Sequence, residues 1–284
     1  MARAGVAPPA AVKSKEFFPG LFSRHAEAYH ERLDGIMARG EAKGRMRVIE
    51  LAAAGPGMQI VDLACGPGTL SRLLAEKVAP DGEVIGVDLA PGMIELASAA
   101  GIANAEFEVM DIETLMFGDA FFDGAVCGHG LQFVPDLGRA LREARRVLKP
   151  GGGFAASVPV STKQEAAWDL LDSVLDRWLV PRTEVVDQAR TREVVSNSDS
   201  LRRATLDAGF SSANVEVIEE QVQWESAEQL VTKFMSWWDC AARLETVPSD
   251  RRDAIKRDAI ATLKREQPGL ISTTGRNHVL DARK

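Results

Sequence analysis

The stretch that decides the fold is MQIVDLACGPGTLS, residues 58–71. Its first part, Gln59–Leu63, is predicted to be a short strand, and the small residues after it predict a tight turn before a helix that begins at Thr69. A glycine turn between a strand and a helix lets backbone N–H groups face a ligand with no side chain in the way. This pattern is typical of a nucleotide-type site.

A second predicted strand, residues 84–88, ends in an acid about twenty residues further along the chain. The carboxylate of Asp88 could accept hydrogen bonds from both hydroxyls of a ribose. A dinucleotide-binding fingerprint requires G-x-G-x-x-G, whereas the chain has G-P-G-T-L-S from Gly66, with Ser71 in the place of the last glycine. The pattern therefore disfavours a nicotinamide-dependent oxidoreductase, which stays an alternative.

With Asp62 included, the turn has the sequence D-L-A-C-G-P-G. It resembles the cofactor loop of class I S-adenosylmethionine-dependent methyltransferases, usually (D/E)-x-G-x-G-x-G, with Ala64 replacing the first glycine. This variant is similar to that of the ubiquinone/menaquinone C-methyltransferase group. Three further stretches follow in that family's order: residues 84–88, residues 105–112, and the combination of F-D, L-Q-F-V-P-D and R-V-L-K-P-G-G between residues 122 and 152. The four stretches together cover about residues 57–160.

The resemblance implies an α/β fold, a doubly wound, mainly parallel seven-stranded Rossmann-like sheet with a helical cap. It also implies S-adenosylmethionine as cofactor and S-adenosylhomocysteine as product. Gly66 and Gly68 would give the cofactor backbone access, Asp88 would hold its ribose, and Asp111 with Ile112 its adenine. The full set of cofactor residues implied by the resemblance is Asp62, Ala64, Cys65, Gly66, Gly68, Asp88, Leu89, Met93, Asp111, Ile112, Cys127, Gly128 and Gln132.

Four segments are predicted along the chain. Residues 1–16 are expected to be a flexible leader, and residues 17–56 to form cap helices, the first an amphipathic helix that reaches about Gly40 and starts after Pro19 and Gly20. Residues 57–160 would be the cofactor-binding core. Residues 161–284 would complete the sheet, with an antiparallel last strand and helical insertions at about 161–198 and 225–270.

Composition narrows the class of function. The chain has 284 residues, of which 45% are hydrophobic and 26% charged, as in ordinary globular proteins. No apolar run approaches the roughly 20 residues that span a bilayer, and a net charge of −7 argues against a nucleic-acid partner. Three widely spaced cysteines favour a reducing cytoplasm and suggest no metal site. Acidity and the lack of an N/D-P-P-Y motif likewise disfavour a methyltransferase of RNA or protein.

Two residues are candidates for catalysis. Methyl transfer is an in-line displacement, which requires a general base only if the acceptor must lose a proton. His129 follows the fourth predicted strand, where the acceptor should approach, although it could equally be bonded to a backbone carbonyl. Tyr29 lies in a segment that resembles one covering the cofactor in related enzymes, or it is a half-buried aromatic. His25 and His30 are weaker candidates, and His278 is expected to be structural.

The acceptor is expected to be a small, fairly hydrophobic molecule. The five tryptophans all follow the core, where they could line a pocket for an aromatic, quinone-like or prenylated secondary metabolite, or only pack the cap: Trp168, Trp178, Trp224, Trp237 and Trp238. Arg182, Arg190 and Arg192 could clamp an anion or lie in solvent. An alternative function is the same fold used as a cyclase or cofactor-binding scaffold. Phe17, Phe18 and Leu21, if exposed, suggest a homo-oligomer contact.

Overall fold

Seven strands form one sheet in a computed structural model that describes residues 11–160 and 166–284. The strands are β1 Gln59–Leu63, β2 Glu83–Asp88, β3 Ala105–Val109, β4 Phe122–Gly128, β5 Leu148–Val160, β6 Ser212–Trp224 and β7 Ile271–Arg283. Their order is β3-β2-β1-β4-β5-β7-β6, parallel throughout except that β7 runs antiparallel to β5 and β6. The doubly wound, mainly parallel fold class is confirmed. Most of the predicted leader, and the start of the predicted insertion at 161, lie outside the described residues.

Helices flank this sheet and form the cap. They are α1 Ser14–Arg24, α2 Ala26–Ala38, α3 Lys43–Leu51, α4 Thr69–Val78, α5 Pro91–Ala99, α6 Leu137–Val147, α7 Ala166–Trp178, α8 Ala189–Val195, α9 Ser198–Asp207, α10 Ala227–Met235, α11 Trp238–Leu244 and α12 Ser249–Glu266. Neighbouring strand residues point to opposite faces, and Ile60 and Val61 of β1 accordingly belong to different apolar clusters. The centre of the sheet is therefore buried on both faces, and β1, β2 and β4 are accordingly buried along most of their length, unlike the edge strand β3.

The turn between β1 and α4 uses the left-handed backbone conformation at three positions. Gly66 and Gly68 have φ of 55° and 79°, and Ala64 reaches 56° although it carries a Cβ. A Cβ on Gly130 would come within 2.5 Å of the Ala64 Cβ. Because residue 130 is a glycine, there is room for the Cβ of Ala64. The loop after β4 therefore accommodates an alanine at the position where related cofactor loops usually have their first glycine.

The N-terminal segment differs from the sequence prediction. The single helix expected to start after Gly20 is wrong, because α1 and α2 meet at His25, whose φ of −111° interrupts the helical backbone, and Pro19 lies inside α1. The carbonyl of Lys13 starts α1 before the proline by accepting from the N–H groups of Glu16 and Phe17.

The same helix corrects the expected exposure of the N-terminal apolar residues. Phe18 is 5% exposed and Leu21 only 1%, since both pack within the chain. The Phe18 ring lies 4.7 Å from that of Phe133, edge to face. Two of the three residues suggested for a contact with another subunit are therefore buried within the chain itself and are not available for that contact.

The late helices form an apolar core of their own, separate from the two on the sheet. It joins α7, α10 and α12 to the outer ends of β6 and β7. The helical insertion predicted at about residues 225–270 consists of α10, α11 and α12. The indole N–H of the buried Trp224 donates to the Thr273 hydroxyl at 2.9 Å across the two strands, which anchors the cap to the sheet.

Candidate active site

A cavity of about 120 Å³ lies where β1, β2, β3 and β4 end. Carboxyl ends of parallel strands are where such sheets bind ligands. The cavity gathers most of the residues that the sequence singled out, namely Tyr29, Ala64, Gly66, Asp88, Leu89, Met93, Asp111, Ile112, Gly128 and His129. Four others lie behind this wall rather than on it: Asp62, Cys65, Gly68 and Cys127. Gln132 lines a neighbouring cavity instead.

Asp88 organises the floor of this cavity. One of its carboxylate oxygens accepts from the N–H of Gly66 and the other from the N–H of Ala90, each at 2.9 Å. Burial raises the pKa of Asp88, while these backbone N–H groups act in the opposite direction. One side chain thus fixes the glycine turn and the start of α5 while its own oxygens border the cavity.

Asp62 in β1 links the two sides of the glycine turn through a hydrogen bond with Ser71 in α4. Its side chain is 1% exposed and accepts a hydrogen bond of 2.7 Å from the Ser71 hydroxyl. Burial, opposed by Ser71 and reinforced by the charge of Asp88, raises the pKa of Asp62 to about 7. Ser71, which breaks the dinucleotide fingerprint, is therefore the partner of the acid that begins the methyltransferase-like loop.

Helix α1 covers the other side of the cavity. The Lys15 ammonium contacts the carboxylates of Asp111 and Glu113, both at 2.6 Å, and the N–H of Gly92 donates to the Ser23 hydroxyl at 3.1 Å. Lys15 lines the cavity. No motif in the sequence marked this lysine, because its partners lie almost a hundred residues away.

A second and larger cavity, of about 520 Å³, adjoins the first. Phe22, Tyr29, His129 and Phe133 line both cavities and form the boundary between them. A boundary made by side chains from α1, from α2 and from the loop after β4 is the place where a group could pass between two bound molecules.

Tryptophans form one wall of the larger cavity. Trp168, Trp224 and Trp237 line it, and the rings of Trp168 and Trp237 lie 4.8 Å apart. Trp178 does not line it and donates its indole N–H to Asp258 at 2.6 Å. The side chain of Trp238 lies outside what the structure describes. The pocket interpretation thus fits three tryptophans, and Trp178 packs the cap.

His129 and Tyr29 meet at the boundary. Among the described residues the buried Nε2 of His129 has no hydrogen-bond partner. Burial lowers the pKa of His129 well below its usual value, the charge of Arg45 lowers it further, and a hydrogen bond with Asn277 opposes both. The Tyr29 hydroxyl accepts from Arg45 at 3.2 Å. The imidazole is therefore neutral near pH 7, and the same burial and positive charge disfavour its protonation.

The other arginine and histidine candidates are either paired with acids already or lie outside the larger cavity. Arg182 lines the larger cavity but pairs with Asp172 and Asp239, and neither Arg190 nor Arg192 lines it. His25 and His30 line neither cavity. His278 contacts the Val195 carbonyl at 2.9 Å, as expected of a structural histidine.

Sequence reasoning missed two arginines, Arg32 and Arg45, that do line the larger cavity. Arg32 stands three residues after Tyr29 in α2, with its guanidinium 4.9 Å from the centre of the Tyr29 ring. That spacing, one helical turn from a candidate site residue, was the available signal.

Comparison with known proteins shows that the chain is similar to methyltransferases. A methyltransferase domain family matches residues 60–152. The demethylmenaquinone methyltransferase of Symbiobacterium thermophilum is 30% identical over 75% of this chain and 92% of its own length. The 2-phytyl-1,4-naphtoquinone methyltransferase of Synechococcus elongatus is 33% identical over 63% of this chain and 79% of its own.

Among solved structures, the cyclase SpnF superposes with a TM-score of 0.55 at 18% identity, over 98% of this chain and 99% of that one. A likeness at that identity shows the shared fold alone. Within the described residues, no helix is both long and apolar enough to cross a membrane. The match to the Symbiobacterium thermophilum enzyme, at 30% identity over 75% of this chain, establishes the family. The chain is an enzyme of the class I S-adenosylmethionine-dependent methyltransferases and belongs to their ubiquinone/menaquinone C-methyltransferase-like group.

Proposed function

We propose that this enzyme binds S-adenosylmethionine in the smaller cavity and methylates an aromatic, quinone-type acceptor in the larger one. The observation that carries the proposal is the pair of adjoining cavities that share Tyr29 and His129 as part of their boundary. The two relatives, whose names specify quinone acceptors, support the acceptor class.

The residues of the smaller cavity fit the cofactor. Asp88 offers carboxylate oxygens to a ribose, and Ile112 an apolar surface beside the carboxylate of Asp111 for an adenine. In the glycine turn, Gly66 has positive φ and keeps the wall free of a side chain. When bound, the cofactor supplies an electrophilic methyl group on a sulfonium.

The chain's own residues then have three tasks. The aromatic wall of Trp168, Trp224 and Trp237 holds a flat acceptor. Phe22 and Phe133, whose rings are 5.4 Å apart, exclude water from the boundary. His129, neutral and with an Nε2 that has no partner among the described residues, can form a hydrogen bond with the acceptor at the boundary.

Calorimetric titration with S-adenosylhomocysteine tests the cofactor site. Wild type should bind, and Asp88→Ala should bind at least about tenfold more weakly. Circular dichroism checks that Asp88→Ala, which loses the hydrogen bonds from the Gly66 and Ala90 N–H groups, still folds. Asp119→Ala removes an acid that lines neither cavity and should bind like wild type. If wild type does not bind, or if Asp88→Ala binds equally well, the proposed cofactor site is wrong.

Labelled methyl transfer to a set of quinols and naphthols tests the acceptor class. Trp168→Ala should lower kcat/KM with these acceptors, whereas Trp178→Ala, outside the cavity, should not. Transfer to polar amines but to no quinol would contradict the acceptor assignment.

A further inference from the structure

The larger cavity holds two arginines for which the described part of the chain offers no acidic partner. Arg45 is 9% exposed and donates to the Tyr29 hydroxyl. Arg32 donates to the Ser236 carbonyl and lies over the Tyr29 ring. No described carboxylate lies within ion-pairing distance of either guanidinium, although both line the cavity. Buried charges are normally paired, so the buried Arg45 and the half-buried Arg32, both in contact with one tyrosine, require an explanation.

The other cations of this cavity are already neutralised. Lys233 pairs with Glu41 at 3.2 Å, and Arg276 with Glu219 at 2.6 Å. Arg182 pairs with Asp172 and Asp239. The positive charge available to a ligand is therefore concentrated at Arg32 and Arg45.

These two arginines face the place where the reaction would occur. Tyr29, which they both contact, lines the smaller cavity as well as the larger. The charge of Arg45 also reaches His129, the other boundary residue with a titratable side chain. An anion held by both arginines would lie beside Tyr29, at the boundary.

We infer that Arg32 and Arg45 form an oxyanion subsite, so that the acceptor is an aromatic molecule carrying an ionised oxygen on its ring. The inference rests on the proposed function, whose acceptor cavity it occupies. The oxygen is either a carboxylate or a ring hydroxyl that binds ionised and releases its proton to solvent. Arginine suits both, because its planar donors pair with two acceptor positions at once.

Binding of matched probes tests the subsite without cofactor or turnover. The fluorescence of the cavity tryptophans reports the binding of 2-naphthoate and of its neutral analogue 2-naphthamide. Wild type should bind the carboxylate at least about tenfold more tightly, a difference of about 1.4 kcal/mol. Equal affinities in wild type would overturn the inference.

Variants assign the preference to the two arginines. Arg45→Met and Arg32→Met should each reduce the ratio of the two affinities to below about threefold, and Arg45→Lys should keep part of it. Arg276→Met is the matched control, because it removes a cation of the same cavity that is already paired, and its ratio should equal that of wild type. A ratio unchanged in the double variant Arg32→Met/Arg45→Met would also refute the subsite.

A third probe distinguishes the two sources of the oxyanion. The naphtholate absorbs at longer wavelength than 2-naphthol, so bound 2-naphthol should show the ionised spectrum at a pH where the free molecule is neutral. Ionisation lost in Arg45→Met supports a ring hydroxyl, and tight 2-naphthoate binding without naphthol ionisation supports a carboxylate. Binding of neither probe in charged form excludes the subsite.

Binding of S-adenosylhomocysteine to every variant, measured in parallel, reports folding and the cofactor site. If it binds while the naphthoate preference is absent, the inference fails and the proposed cofactor site stands. If S-adenosylhomocysteine fails to bind wild type while the naphthoate preference is present, the proposed cofactor site is wrong and the oxyanion subsite stands.

Discussion

Replacing Asp62 by Asn should raise the free energy of unfolding at neutral and alkaline pH. The carboxyl of Asp62 is 1% exposed, and its Oδ1 has no partner among the described residues. An amide has nearly the same shape, and its oxygen can still accept from the Ser71 hydroxyl that now donates to Asp62 at 2.7 Å. The variant therefore removes a buried charge and keeps the hydrogen bond.

The size of the effect follows from the pKa. Burial raises the pKa of Asp62 to about 7 in the folded protein, against about 3.9 in an unfolded chain. The folded state therefore binds the proton more tightly, and stability falls as the pH rises through the folded pKa. Three pKa units correspond to on the order of 4 kcal/mol, of which roughly 2.5 kcal/mol is lost between about pH 5 and pH 8.

Urea unfolding followed by circular dichroism, at several pH values, measures this directly. The stability difference between Asp62→Asn and wild type should widen by roughly 2.5 kcal/mol between about pH 5 and pH 8. Asp123 is the control of opposite sign: burial raises its pKa, but the Gln59 N–H and Lys149 lower it more. Asp123→Asn should therefore lose stability at neutral pH. If the Asp62→Asn and wild-type curves run parallel with pH, the reasoning is refuted.

Three further predictions concern the same loops. Ala64→Gly should raise stability by up to about 1 kcal/mol in thermal unfolding, because the residue has a φ of 56°; a lower Tm would contradict this. Gly130→Ala should cost about 1–3 kcal/mol and weaken S-adenosylhomocysteine binding, because its Cβ would lie 2.5 Å from that of Ala64; calorimetry showing wild-type affinity would contradict it. Because burial lowers the pKa of His129, the pH profile of kcat should show no ionisation of this residue near pH 7. An inflection near pH 7 that disappears in His129→Gln would contradict the lowered pKa of His129.

Much of the fold could be predicted from local sequence. The strand Gln59–Leu63 and the start of α4 at Thr69 were predicted at the observed residues, because an apolar run, a glycine turn and a helical period are local signals. The N-terminal helices were predicted less well. Pro19 suggested a helix start, whereas packing of Phe18 and Leu21 in the interior places it within α1.

The sequence by itself determined the first strand, the glycine turn and the acids at the strand ends, since each depends on neighbours within a few residues, whereas the seven-stranded sheet was implied by the family resemblance. Only the tertiary structure decided that Lys15 meets Asp111, that Ser71 supports Asp62, and that Arg32 and Arg45 converge on Tyr29 with no acidic partner among the described residues. Contacts such as that of Lys15 join residues far apart in the chain and leave no periodic pattern. The charge balance of a cavity emerges only once the chain has brought its walls together.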